Sequence, residues 1–162
     1  MSGFYRLPGY PDNLLKVTKR TRKHNPRRTG KGSKNMIGLY VNNNTPERFA
    51  FRIICGVKTV ETRTKRAAKT FLNSGVQIGD RVAIIVGGHV YGYVTFQGVK
   101  EYRTRGEFRL DYYAHQVRPG SKYDYNDSTG KVGLIFSDPV ARTQKDYDKP
   151  IKKTGGYTYA EV

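Results

Sequence analysis

Residues 56–63 read Gly-Val-Lys-Thr-Val-Glu-Thr-Arg, so small or apolar side chains alternate with charged ones. A period of two residues is typical of a strand that has one exposed face. We therefore expect an exposed strand in which Lys58 and Val60 point to one side and Thr59 and Glu61 to the other. The remaining elements are predicted outward from this strand.

The residues before this strand predict a strand and a helix. Residues 36–41 are short, apolar and β-prone, and three consecutive Asn residues end the run. Thr45 is a candidate helix N-cap with Pro46 in the first helical position, and apolar residues follow at helical spacing as far as Gly56. We expect a first strand over 36–41 and then a helix of roughly ten residues.

The residues after the strand predict a hairpin. Residues 64–75 are basic and irregular apart from one helical turn near their middle. Gly79-Asp80 then turns the chain into an apolar strand over 81–86, and Gly87-Gly88 connects it to a second strand over 89–96. This hairpin contains the most apolar strand of the sequence.

The last part of the chain completes a mostly β pattern. Residues 105–113 fit a helix or a loop, and residues 131–136 predict a closing strand. The residues after 142 are polar and end in an alternating Tyr-Thr-Tyr, which predicts an edge strand. Roughly five or six short strands with one or two helices indicate a small β-barrel of the α+β class.

The N-terminal residues differ in composition from the rest of the chain. Residues 1–35 contain ten Lys and Arg against a single Asp and are poor in apolar side chains. Such a segment cannot bury enough apolar surface to offset the entropy of ordering it. We expect a disordered basic arm over 1–35, a folded domain over 36–142 and a polar C-terminal tail over 143–162.

Charge and composition limit the choice of partner. The chain of 162 residues has 30 Lys and Arg against 13 Asp and Glu, a formal charge of +17, which favours a polyanionic partner. Its 13 Tyr and 7 Phe offer rings for stacking on unpaired bases, which favours RNA, with DNA or a ribonucleoprotein as alternatives. The sequence does not predict an oligomeric state.

Other classes of protein are disfavoured. The sequence has no apolar run long enough to span a membrane and no signal-peptide core, and its single Cys predicts a reducing, cytoplasmic setting. If the protein is viral, its predicted location is the cytoplasm of the host. Three isolated His residues show no metal spacing, and the Gly-rich stretches lack a phosphate-loop context, so we expect no metal and no cofactor.

The order of these elements resembles the ASCH domain of the PUA-like superfamily over residues 36–142. The resemblance implies a small PUA-like β-barrel with one or two flanking helices, and a cleft beside the motif strand that holds RNA or a nucleoside. In ASCH-like amidohydrolases the motif Lys corresponds to Lys58, whereas the nucleophilic Thr falls where this sequence has Glu61. The resemblance is carried by Gly56, Lys58, Glu61, Arg63, Gly79, Asp80 and Gly92.

Four groups of residues are candidates for binding nucleic acid, because Lys and Arg hold phosphate, Arg pairs with two parallel hydrogen bonds and aromatic rings stack on bases. The structural alternatives are a solvated strand face, a solubilising loop or tail, and tyrosines that pack in the core. The groups are the motif residues Lys58, Glu61 and Arg63; the phosphate track Lys65, Arg66 and Lys69; the hairpin tyrosines Tyr91 and Tyr93, expected on one face; and the arm residues Lys19, Arg20, Arg22, Lys23, Arg27 and Arg28.

Three functions are compatible with these residues. The leading hypothesis is a non-enzymatic RNA-binding protein whose cleft holds a nucleotide while the arm contacts phosphates. The second is a small hydrolase of RNA or of a modified nucleoside, using Lys58, Glu61 and His115. The third is an assembly protein whose arm inserts into a ribonucleoprotein or a DNA-filled particle.

Overall fold

The computed structural model describes residues 35–154 and 158–162, so the predicted arm residues lie outside the described part of the chain. No helix within the described residues is long and apolar enough to cross a membrane. In chain order the elements are β1 (Ile37–Tyr40), α1 (Phe49–Ile54), β2 (Val60–Arg63), α2 (Lys65–Leu72), β3 (Arg81–Val86), β4 (His89–Tyr102), α3 (Arg105–Leu110), α4 (Tyr112–His115), β5 (Lys131–Ala141), α5 (Gln144–Tyr147), β6 (Lys152–Lys153) and β7 (Tyr159–Glu161).

The strands form one mixed sheet in the order β2-β5-β4-β3-β1-β7-β6. Strand β1 is parallel to β3, and the other neighbouring strands are antiparallel. The α+β class is therefore confirmed. The sheet stays open, with β2 and β6 at its two edges and no pairing between them in the described strands, so the predicted barrel closure is not confirmed.

Strand β3 lies at the centre of the core and is buried on both faces. Its residues 82–85 have no exposed surface, which explains why this strand reads as a continuous apolar run. The larger core, on one face, includes Phe49 of α1, Phe71 of α2 and Phe108 of α3. A small cluster on the other face contains Ala83, Val90 and Tyr93. The helices therefore pack mainly on one side of the sheet.

Helix α1 is shorter than predicted. Pro46 and Glu47 form a turn in which the Arg48 amide donates to the Thr45 carbonyl at 3.0 Å. Arg48 then adopts a left-handed conformation, with φ of 47°, immediately before the helix begins at Phe49. The Thr-Pro pair that resembles a helix start therefore forms a separate turn.

Helix α2 replaces the irregular segment predicted over 64–75. Thr64 caps it, because its side chain accepts a hydrogen bond from the Ala67 amide at 3.2 Å. Ala68 and Phe71, three residues apart, are buried against the sheet, whereas Lys65 and Lys69 are exposed. The sequence analysis did not predict the full helix, because its few buried apolar residues lie among many basic ones.

A β-bulge at Tyr91 reverses the predicted alternation of the hairpin. Gly92 pairs with Ile84 and Val90 with Ile85, so Tyr91 is an extra residue in the strand. Tyr91 consequently packs against the larger core, whereas Tyr93 lies in the small cluster with Val90. The prediction that Tyr91 and Tyr93 share one face is wrong, because a bulge inverts the parity of the residues beyond it.

Strands β4 and β5 extend further than predicted. Strand β4 continues to Tyr102, and β5 continues through Asp138 and Pro139 to Ala141. Strand β7 pairs with β1, and β6 forms the edge beyond it, so the predicted C-terminal tail supplies two strands, in keeping with the edge strand expected there.

Gly92 provides a direct test of the contact between α1 and the bulged hairpin. A Cβ at this position would lie 2.5 Å from Ile54 Cδ1 and 2.7 Å from the Val140 carbonyl oxygen. We expect Gly92→Ala to lower the free energy of unfolding by about 2 kcal/mol, since a backbone oxygen cannot move away as a side chain does. Gly106→Ala in α3 is the control, because its nearest neighbour would be 3.8 Å away. Equal stability of the two variants by urea unfolding would contradict this packing.

Candidate nucleic-acid interface

The motif strand is buried, although it forms an edge of the sheet. Lys58 is 1% exposed and Glu61 3% exposed, and Val60 and Thr62 are also buried. The segment that ends in α4 covers this strand, since the Thr59 amide donates to the Ala114 carbonyl at 2.9 Å. The prediction of an exposed strand is therefore wrong, because the alternating pattern carries no sign of this covering segment.

Lys58 places a charged amine inside the protein. Its Nζ donates a hydrogen bond to the His115 carbonyl oxygen and lies 4.6 Å from the centre of the Phe49 ring. Burial lowers the pKa of Lys58 to about 8, although the nearby Glu61 carboxylate acts in the opposite direction. At neutral pH the amine is still largely protonated, so the site holds a buried positive charge.

Glu61 and Arg63 are brought together as predicted. Glu61 Oε1 accepts from the Thr62 amide at 3.1 Å and lies 3.9 Å from Arg63 Nη1. Arg63 Nη2 donates to the carbonyl oxygen of Tyr40. Glu61 Oε2 and Arg63 Nε are buried and have no hydrogen-bond partner. An acceptor and a donor therefore stay unsatisfied on neighbouring side chains of one strand.

Lys131 is a member of the site that the sequence analysis missed. Strand β5 pairs with β2 so that Val132 lies opposite Arg63, which places Lys131 beside the end of the motif strand. Lys131 is 8% exposed, burial lowers its pKa, and its charge interacts with that of Glu61. One sequence feature could have identified Lys131 as a candidate, namely its position directly before the apolar run of the predicted closing strand.

We refer to Lys58, Glu61, Arg63 and Lys131 as the buried charge cluster. It contains three basic groups and one carboxylate, so positive charge is in excess. Unpaired charge is costly in a buried site unless an opposite charge or a set of hydrogen bonds compensates it. The cluster is therefore suited to an anionic or strongly hydrogen-bonding ligand.

Further unpaired polar atoms are buried in the described part of the chain. Tyr40, whose carbonyl contacts Arg63, has a buried hydroxyl without a hydrogen-bond partner, and the same is true of the hydroxyl of Ser121. Each such atom costs about 1–3 kcal/mol if nothing satisfies it, and native proteins contain few of them. Their presence here favours a binding site over an ordinary part of the core.

His115 does not have the catalytic role considered for it. Its ring is fully buried and stacks on Phe108 with 4.0 Å between ring centres. Nε2 lies 2.6 Å from the Phe108 carbonyl oxygen, and Nδ1 accepts from the Val117 amide at 2.9 Å. Because both nitrogens are occupied by backbone groups and burial lowers the pKa of His115, the ring is neutral and structural. Its prediction as a general base is wrong.

The basic residues of α2 form an exposed surface beside the cluster. Lys65, Arg66 and Lys69 are exposed, and Lys65 Nζ lies 3.0 Å from Glu101 Oε1 on β4. The Lys65 chain also lies against Gly130, the residue before Lys131. The surface is therefore continuous with the cluster, and its contact with phosphates stays a prediction.

The hairpin tyrosines are used for packing. Tyr93 is 8% exposed, and its hydroxyl donates to Asp146 at 2.7 Å and accepts from Lys149 at 2.8 Å. Tyr91 is half-buried, with the Arg142 guanidinium 5.3 Å from its ring centre. The prediction that these rings form a base-stacking platform is wrong for Tyr93, because the segment around α5 covers it.

Metal ligation finds no support in the described part of the chain. Within residues 35–154 and 158–162, no three His, Cys, Asp or Glu side chains are grouped so that they could hold a metal ion.

Comparison with solved structures gives the described part of the chain an ASCH-like fold. The chain is similar to the crystal structure of ASCH from Zymomonas mobilis, with a TM-score of 0.52, 13% identity and coverage of 78% of this chain and 87% of that chain. A point mutant of the same protein gives a TM-score of 0.52 at 15% identity and the same coverage. No protein-family model matches the chain, and no curated protein matches it by sequence. The predicted ASCH resemblance is thus confirmed for the fold.

Proposed function

We propose that this protein binds RNA, with one nucleotide held at the buried charge cluster and the basic arm contacting the surrounding phosphates. The observation that carries the proposal is the cluster itself, in which three basic groups share a single carboxylate. RNA supplies the negative charge that this arrangement lacks. The +17 charge of the whole chain supports the same class of partner.

The unsatisfied atoms of β2 give the cluster a means of reading a base. Glu61 Oε2 can only accept a hydrogen bond while the carboxylate is ionised, and Arg63 Nε can only donate one. The edges of nucleobases carry donors and acceptors next to one another, and they are accessible in single-stranded RNA. A single unpaired nucleotide is therefore the ligand that best complements this pair, and paired DNA is the weaker candidate.

A substitution of Arg63 that keeps the positive charge tests the proposal. Arg63→Lys removes Nε and the planar donor fork, so we expect about tenfold weaker binding of a mixed-sequence single-stranded RNA. Arg142→Lys, at an exposed residue directly after β5, is the matched control and should leave the affinity unchanged. Affinity would be measured by fluorescence anisotropy at about 0.3 M salt, where the contribution of the arm is reduced.

An equal affinity for Arg63→Lys and wild-type protein would remove the cluster from the binding site. Thermal unfolding of both variants is the companion measurement, because Arg63 also donates to the Tyr40 carbonyl. Substituting single-stranded DNA of the same sequence decides between the two nucleic acids.

A hydrolase of RNA is the second candidate, and the lowered pKa of Lys58 beside Glu61 favours it. Since His115 is structural, only Lys58 and Glu61 remain from the catalytic set considered. Incubation of labelled RNA with the protein in chelator distinguishes the candidates. Cleavage that disappears in Lys58→Met would support a hydrolase, and intact RNA would support binding alone.

A further inference from the structure

An open cleft lies beside the buried charge cluster and shares Lys131 with it. Its volume is about 480 Å³, and its lining is polar. The cleft lies between the N-terminus of α2, the start of α3 and the loop that precedes β5. The lining includes Thr64, Arg105, Ser121, Lys122, Thr129 and Lys131.

Lys131 gives the cleft a cation. The residue is 8% exposed, and burial lowers the pKa of its amine. The structure places no hydrogen-bonding or ion-pairing atom of the described residues against its amine, and its charge acts on Glu61, Arg63 and Asp124 only at longer range. An anion that enters the cleft would stabilise the charge of this partly desolvated ammonium.

Ser121 supplies an unpaired hydroxyl beside the same cleft. Its Oγ is buried and has no hydrogen-bond partner, although the residue lines the cleft. A hydroxyl donates one hydrogen bond and suits a phosphate oxygen. Lys131 and Ser121 therefore bring an amine and an unpaired hydroxyl to the lining of one cleft from different segments.

The carboxylate in the lining does not oppose an anion strongly. Burial alone would raise the pKa of Asp124, but hydrogen bonds from Arg109 and from the Gly120 and Tyr125 amides lower it to about 2. Arg109 Nη2 lies 2.7 Å from Asp124 Oδ2, so its charge is compensated inside the wall. Lys122 adds positive charge to the lining, whereas Arg105 is paired with Asp127 at 3.1 Å. The net field in the cleft therefore favours an anion.

We propose that this cleft is a phosphate subsite, in which the Lys131 amine and the Ser121 hydroxyl hold one phosphate group. In the RNA complex, which rests on the proposed function, that phosphate belongs to the nucleotide whose base contacts Glu61 and Arg63. Lys131 lies between the two, so the phosphate and the base would be read by adjacent sites. Lys65 and Arg66 are exposed on α2. In the proposed complex they would contact the RNA phosphates next to the one in the cleft.

Binding of inorganic phosphate to the full chain tests the subsite independently of RNA. We expect titration at low ionic strength, followed by amide NMR shifts, to place phosphate beside Ser121 and Lys131. Lys131→Met should bind about tenfold more weakly, and Ser121→Ala should show a smaller loss. Lys131→Arg should keep most of the affinity. Lys152→Met, an exposed residue of β6, is the control and should bind like wild type.

Three outcomes separate this inference from the proposed function. Equal phosphate binding by wild type and Lys131→Met, or no shift at Ser121, would overturn the subsite even if RNA binding depends on Arg63. Suppose that Lys131→Met loses phosphate binding but Arg63→Lys binds RNA as tightly as wild type. That result would support the subsite and reject the proposed function. If Lys131→Met does not fold, Ser121→Ala gives the decision, since a phosphate affinity equal to that of wild type would contradict the subsite.

Discussion

Glu61→Ala is expected to lower the free energy of unfolding by about 3 kcal/mol at pH 7, because the variant leaves buried cations without their counterion. The Glu61 carboxylate is the only acidic group of the buried charge cluster, and it raises the pKa of both Lys58 and Lys131 against the effect of burial. It also lies 3.9 Å from Arg63 Nη1. Because the other members are all cations, removing the single carboxylate leaves their charges uncompensated, whereas removing one cation does not.

Urea unfolding of Glu61→Ala and Glu101→Ala measures this difference. Glu101 also contacts a lysine, Lys65, at 3.0 Å, but both side chains are about half exposed. We expect Glu101→Ala to change stability by no more than about 0.5 kcal/mol, since exposed ion pairs contribute little. Similar losses in the two variants would mean that the cluster is not electrostatically coupled.

The pH dependence gives a second check on Glu61→Ala. Without the carboxylate, the pKa of Lys58 falls below its value of about 8, whereas the unfolded chain keeps an ordinary value of 10.5. The unfolded state then binds more protons than the native state between these values, so stability rises with pH. Because this window opens at a lower pH in the variant, its deficit relative to wild type should shrink between pH 7 and pH 9.

Local pattern was sufficient to predict the centre of the sheet. Strand β3 is buried on both faces, so the burial requirement fills six consecutive positions with mainly apolar residues. Its hairpin with β4 was predicted because two glycines separate the strands, both with positive φ, which glycine adopts without strain. The short range of these interactions keeps their signal within a few residues.

The features that the sequence did not predict depend mainly on contacts between residues that are distant in the chain. The burial of Glu61 depends on the segment 111–115 and on pairing with β5, both distant in the chain. Lys131 joins the cluster only through that pairing. The bulge at Tyr91 changes the face on which the next residues of β4 lie, without a change in composition. The identity of Lys58, Glu61 and Arg63 was therefore predictable, whereas their burial and their fourth member were not.

Lys58→Met is expected to weaken RNA binding by about tenfold or more while leaving stability within about 1 kcal/mol of wild type. Methionine fills a similar volume and removes a buried charge, which offsets the hydrogen bond to the His115 carbonyl that the variant loses. A residue present only for folding would show the opposite balance. Lys152→Met, an exposed residue of β6, controls for the general loss of one positive charge.

The pH profile of RNA binding connects that loss to the amine of Lys58. Its pKa of about 8 is set by burial and by the charges that face it, namely Glu61, Arg63, Arg52 and Lys131. Binding by wild-type protein should therefore weaken as pH rises through about 8, where the amine loses its charge, while ordinary lysines of the arm stay protonated to about pH 10.4. The α-amino group also titrates near pH 8. Because Lys58→Met retains that group, a step near pH 8 that is present in wild type and absent in the variant belongs to Lys58. The same step in both proteins would show that the Lys58 amine does not contact RNA.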